Sequence, residues 1–237
     1  MPDPTAPRRR PTAIVRPYRR EDREAVRDIF RAGGQRGDPV SNYIEEEDIP
    51  LALFVDYHLD HEPGCCFVAE AEGKVVGYIA GCLDNDRYNW VVLTRYIPRL
   101  LVRVLWRLFT LQYHNTSTFR VILWFMTRSW REIPEPPRGR YPAHLHIALA
   151  PEYRGLRLGR QMVDTAVDRI KSLGAVGAHG VVIEEAGHNA FAAVMAGTLL
   201  ESRPCTLWAH CSDKRWMFRL LVRDLRDPSS RAAAGRT

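Results

Sequence analysis

The spacing of hydrophobic positions changes along this chain. Ile14 to Arg16 is a short extended run, and RREDREAVRDIF then places Ala25, Val26, Ile29 and Phe30 at helical spacing. Gly33 and Gly34 end that helix. A second helix is predicted over 45–58, with acidic residues in its first turn, where they complement the helix dipole. The period then shortens. Runs 65–71 and 75–83 are β-branched and aromatic, and AEGK between them supplies the glycine of a tight hairpin turn. Later, 143–149 reads as a strand, 158–173 as a helix, 180–183 as a strand and 189–200 as a helix, with 205–210 and 216–222 as a final strand pair. Strands early and β-α-β alternation late predict a mixed sheet with helices on both faces.

Residues 87–131 interrupt this order. The stretch holds eight arginines, ten aromatic residues and no Asp or Glu. Arg95, Arg99, Arg103 and Arg107 recur every four residues, opposite Leu100, Leu101, Val104, Leu105 and Leu108, which describes a basic amphipathic helix starting near Pro98. A second helix follows through VILWFMTRSW. Neither apolar run reaches the ~18–20 residues that span a bilayer. The plain expectation is a helical pair that packs its apolar faces on the core or on a second subunit, with the arginines in solvent. A substrate groove, a membrane surface and a nucleic acid are the alternatives, since basic faces edged with Trp suit interfaces and phosphates.

Composition narrows the rest. The chain has 237 residues, 46% of them hydrophobic and 26% charged, which fits one sizeable globular domain with an insertion, expected at 13–226 with the insert at about 87–138. The Pro- and Arg-rich start, 1–12, and the tail, 227–237, are expected to be disordered. The start has charges but no apolar core segment or cleavage site of a secretory signal, so a cytoplasmic location is expected. Net charge is +6, with Lys74, Lys171 and Lys214 as the only lysines; such an arginine excess favours anionic partners in general. Five cysteines without CxxC pairs, and eight histidines without ligand spacing, predict reduced thiols and no metal site.

One stretch points to a chemistry. In YPAHLHIALAPEYRGLRLGR, residues 141–160, an alternating strand runs through a Pro turn into an Arg- and Gly-rich loop, and a helix follows at once. Unpaired backbone N–H groups and the dipole at a helix start attract anions, which suits a pyrophosphate. A βα turn without ligand is the alternative reading. His144 and His146 alternate onto one face of the strand, opposite Leu145, Ile147 and Leu149, and histidine has the intrinsic pKa of a general base. A strand histidine also serves as a packed core residue. Glu184 and Glu185 end the next strand, where they either handle an amine's proton or charge, or sit in solvent.

At Arg154–Gly155–Leu156–Arg157–Leu158–Gly159 the sequence resembles the GNAT superfamily of N-acetyltransferases, whose acetyl-CoA motif is Gln/Arg-x-x-Gly-x-Gly/Ala after a strand, with Arg157 in place of the middle glycine. RPYRREDREAV, CCFVAEAEGKVVGYIAG and YPAHLHIALAPEYRG are also similar to the acetyltransferase-like C-terminal domain of O-GlcNAcase and its free-standing bacterial relatives. The resemblance implies a GNAT-type α/β fold with a mixed, mostly antiparallel sheet, and acetyl-CoA as co-substrate. It implies that Leu149 and Ala150 face the pantetheine arm, while Gly155, Leu156, Arg157, Leu158, Gly159 and Arg160 face the phosphates after Arg154. Asn189, at a helix start, caps that helix or touches the arm. The implied reaction is direct acetyl transfer to an amine, with His146, His144 and Glu184 as candidate catalytic groups. Many relatives carry a tyrosine acid on the following helix; NAFAAVMAGTLLE has none, which leaves a CoA-binding or inactive interaction module as the alternative. Expected partners are the cofactor, an amine or peptide acceptor and a second copy through the helical insert, rather than nucleic acid or membrane.

Overall fold

The computed structural model describes residues 13–33, 39–137, 139–155, 157–188, 190–210 and 212–226. The ends 1–12 and 227–237, together with Gly34, Leu156, Asn189 and Cys211, lie outside the described residues. Strands β1 (Ala13–Pro17), β2 (Cys66–Ala71), β3 (Lys74–Cys82), β4 (Ala143–Leu149), β5 (Gly177–Glu185), β6 (Thr198–Cys205) and β7 (Trp216–Asp224) form one sheet in the order β1-β2-β3-β4-β5-β7-β6. All neighbours are antiparallel except β4 and β5. The hairpin between β2 and β3 turns through Glu72 and Gly73, both at positive φ, as a two-residue turn that matches strand twist requires.

The central strands are buried on both faces because helices cover each. Helices α1 (Arg23–Ala32) and α2 (residues 48–61) bury Val26, Leu51, Val55 and Leu59 against Cys66, Val68, Tyr78 and Ala80. On the other face lies α5 (Leu158–Ser172), which follows the insert helices α3 (residues 85–109) and α4 (Thr116–Thr127) along the chain. It sets Met162, Val163, Ala166, Val167 and Ile170 against Phe67, Ala69, Ile79 and Leu145. Fully burying such a side chain contributes roughly 1.5–3 kcal/mol. The alternation of strand side chains therefore sorts β4 as the sequence implies, with Leu145, Ile147 and Leu149 toward α5 and the two histidines toward α1 and α2.

Two elements differ from the sequence pattern. The helix expected over 189–200 is α6 (Ala190–Met195), and residues 198–205 are strand β6. The chain reverses at Ala196, at φ 46°, and Gly197 passes so close to β7 that a Cβ there would lie 2.8 Å from the Val222 carbonyl oxygen. Pairing with β7 thus overrides helical spacing in TLLES, and Pro204 is tolerated because β6 is an edge strand. The expected strand 205–210 is a turn after its first residue.

The insert also differs. Helix α4 packs as expected, with Val121 and Trp124 in a cluster with Ile44, Cys205, Trp216 and Phe218. Helix α3 follows the expected sides only in part: Arg95 and Arg99 are exposed and Leu100 and Val104 half-buried, but Arg103 and Arg107 turn inward. Arg103 pairs with Glu46 at 2.9 Å and with Asp48 at 2.6 Å, Arg107 pairs with the same Glu46, and the Tyr113 hydroxyl donates to it at 3.2 Å. Glu46 is fully buried, and a buried carboxylate needs such partners. Leu101, Val102, Leu105, Trp106 and Phe109 consequently face solvent. The neighbouring Glu45 accepts from the N–H groups of His114 and Asn115. The acids expected to complement a helix dipole hold the insert instead.

Replacing Glu46 by Ala, which takes the carboxylate from Arg107 while Arg103 keeps Asp48, is expected to lower stability by about 3 kcal/mol, the low end for a broken buried pair because Arg103 is half exposed and still paired. Urea unfolding checks this, and a loss under about 1 kcal/mol contradicts the role given to Glu46.

Candidate functional site

The sheet opens at its centre. β4 and β5 pair only through Ala143 with Ala178 and His144 with His179. Beyond that point β4 continues along β3 as far as Leu149 opposite Gly77, while β5 continues along β7 to Glu185 opposite Trp216. Among the described residues, the edge of β4 over residues 145–149 that turns toward β5 therefore has no strand partner. Its backbone groups are available to an extended ligand.

At the end of β4 the Ala150 N–H donates to the Val76 carbonyl and a turn, Pro151–Tyr153, leads into the loop. Arg154 folds back to the Leu149 carbonyl at 3.2 Å. Gly155 lies at φ 78° and Arg157 at φ 60°, ψ 4°, so two left-handed residues stand within the loop. Glycine populates this region freely and arginine does not, which explains why the resemblance leads one to expect glycine at Arg157. Arg157 is the N-cap of α5 and contributes no side-chain cap, so the first amides of a 15-residue helix keep no side-chain acceptor at that position. Its guanidinium is exposed. Leu158 points instead into the core, and Arg160 is held by Asp164 at 2.7 Å, which Arg223 also binds. Gly159 lies close to Val194 of α6, where a Cβ would make ordinary contact. Leu156 and Asn189 lie outside the described residues.

Toward α2, the strand histidines belong to an aromatic cluster. His146 stands beside Phe54, Phe30 and Tyr78, with ring centroids 5.4–5.8 Å away, and its Nδ1 lies 3.0 Å from the Tyr78 hydroxyl. His144 lies 4.7 Å from Tyr88, 5.1 Å from His58 and 5.7 Å from His179. Desolvation holds all four histidines neutral: it pushes His58 down to about 3 and His146 to about 4, His144 far below its ordinary value, and lowers His179. Nδ1 of both His58 and His144 is buried without a hydrogen-bond partner among the described residues. Tyr78, His58 and Tyr88 carry no motif in the sequence. Only the register of β3 on β4 and the docking of α2 and α3 bring them here.

Glu184 is placed differently. One carboxylate oxygen accepts the Phe191 N–H at 2.9 Å and the other stands 3.6 Å from Arg219, so it anchors the start of α6 to β5. Glu185 pairs with Lys214. No residue of Ala190–Met195 is a tyrosine. Among the described residues, no group of three or more His, Cys, Asp or Glu could hold a metal ion.

A solved structure described as SsHAT superposes with a TM-score of 0.63, covering 92% of this chain and 100% of its own, at 22% identity. The chain has the GNAT fold. An N-acetyltransferase from Staphylococcus aureus Mu50 matches with a TM-score of 0.50 at 13% identity, covering 91% of this chain and 99% of that one. The ribosomal-protein-S18-alanine N-acetyltransferase from Escherichia coli gives 0.50 at 14%, covering 91% and 96%. No family profile and no curated protein matches the sequence.

Two outcomes follow from this geometry. Replacing Arg157 by Gly relieves a left-handed side chain and is expected to leave stability unchanged or raise it by about 1 kcal/mol, whereas Gly155→Ala lowers it by a similar amount; thermal unfolding of the pair tests this. The histidines take up protons near pH 6.5 when unfolded but only near 3 to 4, or lower, when folded. Their contribution is thus complete above pH 6.5 and is lost as pH falls from there toward 4. The melting temperature is expected to drop across that window, less steeply in His144→Phe; a flat profile between about pH 7 and 5 contradicts the cluster's neutrality.

Proposed function

We propose that this chain is an acetyl-CoA-dependent N-acetyltransferase that moves acetyl directly to an amine, on a small molecule or a protein lysine. The observation that carries the reading is the opening of β4 from β5 beside the left-handed loop and uncapped start of α5. The residues fit the cofactor: the edge of β4 over residues 145–149, which has no strand partner among the described residues, offers backbone groups to the pantetheine arm leading toward Leu149 and Ala150, where the Leu149 carbonyl is met by Arg154, and Gly155 with Arg157 to Arg160 offers amides to the pyrophosphate. Arg157, exposed at the same turn, supplies a guanidinium to a phosphate. When bound, the cofactor supplies an acyl thioester activated toward an amine.

The chain's own part is to hold the acceptor and manage its proton. His146, just past the last β4–β5 pair, is neutral because its aromatic surroundings exclude water. In the tautomer assigned to the working enzyme, Nδ1–H donates to the Tyr78 oxygen and Nε2 keeps the lone pair that receives the amine's proton. With a pKa near 4 this nitrogen holds a proton only about one part in a thousand of the time at neutral pH, so the proton passes on to the leaving coenzyme A thiolate, the stronger base; His144, held neutral still more strongly by burial, packs behind it. Glu184 serves as a positioning residue for α6. No tyrosine of α6 is present to protonate a leaving thiolate, and this favours, as a second reading, a CoA-binding module without transfer.

Calorimetry with acetyl-CoA, followed by thiol release against a panel of amines and lysine peptides, tests both readings. Expected are micromolar binding, turnover with at least one amine, and a kcat about 10²-fold lower in His146→Ala with KM for acetyl-CoA unchanged. Binding without turnover on any acceptor assigns the second reading, and no heat at millimolar ligand removes both.

A further inference from the structure

We propose that the insert formed by α3 and α4 is a docking surface for an anionic lipid bilayer, on which the protein lies without crossing it. The first ground is the orientation of α3. Its ion pairs hold Arg103 and Arg107 against Glu46 and Asp48, so the helix presents Leu101, Val102, Leu105, Trp106 and Phe109 outward. Phe109 is 83% exposed, and Leu111, in the connection to α4, 82%. Leu123 and Met126 of α4 and Trp130, in the short helix Ser129–Glu132 after it, are exposed as well. An exposed apolar surface of this extent on a folded chain marks an interaction site.

Charge selects the occupant. No acidic residue occurs from 87 to 131, while Arg95, Arg99 and Arg120 are exposed and, among the described residues, have no carboxylate partner. Around α3, Arg99 borders the outward stripe next to Trp106 at helical spacing. A second copy docking by the same face would be self-complementary by symmetry and would bring these arginines against their own mates with no acid of the segment to offset them. An anionic headgroup layer complements them, the aliphatic residues enter the acyl boundary, and Trp sits at that level. Leu101, Val102 and Leu105 offer nothing to a base or phosphate of a nucleic acid. No helix among the described residues is long and apolar enough to cross a membrane, which leaves the surface mode. The sequence pattern alone leads away from this partner because it turns the apolar stripe of α3 inward.

Co-sedimentation of the full chain with vesicles of phosphatidylcholine, alone or with a quarter phosphatidylglycerol, tests the proposal. The protein is expected to sediment with the anionic vesicles at least about tenfold more strongly than with the neutral ones, and less so as salt is raised. The double variant Trp106→Ser, Phe109→Ser, altered only at exposed positions, is expected to lose about tenfold or more in binding with an unchanged urea midpoint. Arg99→Glu with Arg120→Glu is expected to abolish the preference for anionic lipid. Absence of sedimentation with anionic vesicles, or undiminished binding by the Trp106 and Phe109 variant, overturns the proposal. So does a wild-type dimer in sedimentation velocity that this variant dissolves without any vesicle binding, which would assign the face to a second copy.

Discussion

β4 and β5 share only two residue pairs before each follows its other neighbour, β4 along β3 and β5 along β7. The other features of the site depend on that separation. It leaves one edge of β4 over residues 145–149 without a strand partner among the described residues, places His146 beside an opening instead of within a closed ladder, and brings the end of β4 to the loop that starts α5. In an unbroken parallel pair the same residues would make an ordinary sheet centre, buried on both faces.

Around that opening, two local costs are tolerated. Arg157 holds a backbone conformation that favours glycine, and four histidines stand in a desolvated aromatic cluster, two of their ring nitrogens without a hydrogen-bond partner among the described residues. Backbone strain and unsatisfied polar atoms persist where surrounding structure over-determines them, and they cluster at functional sites. Here the over-determination comes from the two hydrophobic clusters, one under α5 and one under α1 and α2, that grip the sheet from opposite faces. The result is a set of histidines kept neutral by desolvation, next to a loop that holds Gly155 and Arg157 in the left-handed region.

The insert is joined to this frame by aromatic packing at the start of α3, where Tyr88 and Tyr96 meet Tyr57, and by charge at its end. Glu46 is buried between two arginines and a tyrosine, Glu45 binds the chain before α4, and α4 seals the end of β6 and β7 through Trp124. The same α3 and α2 supply Tyr88 and His58 to the histidine cluster. One helix of the insert thus contributes both to the ion-paired junction and to the histidine cluster.

Much of the frame was legible in the amino-acid order. Period-two runs marked the hairpin and β4, helical spacing marked α1 and α5, and the glycine in AEGK marked the turn, because these depend on neighbours within a few residues. The Arg154–Arg160 loop was legible for the same reason, being a strand, turn and helix start in succession. What lay beyond local pattern was decided by pairing at long range. TLLES reads as helix until β7 takes it as an edge strand; Tyr78 and His58 are unremarkable until register and helix docking set them beside His146 and His144. The clearest case is α3: its amphipathic spacing is a property of the sequence, but which stripe faces inward was settled by the acids 55 to 61 positions earlier, since a fully buried carboxylate must be paired and no residue of the insert reveals that Glu46 is there.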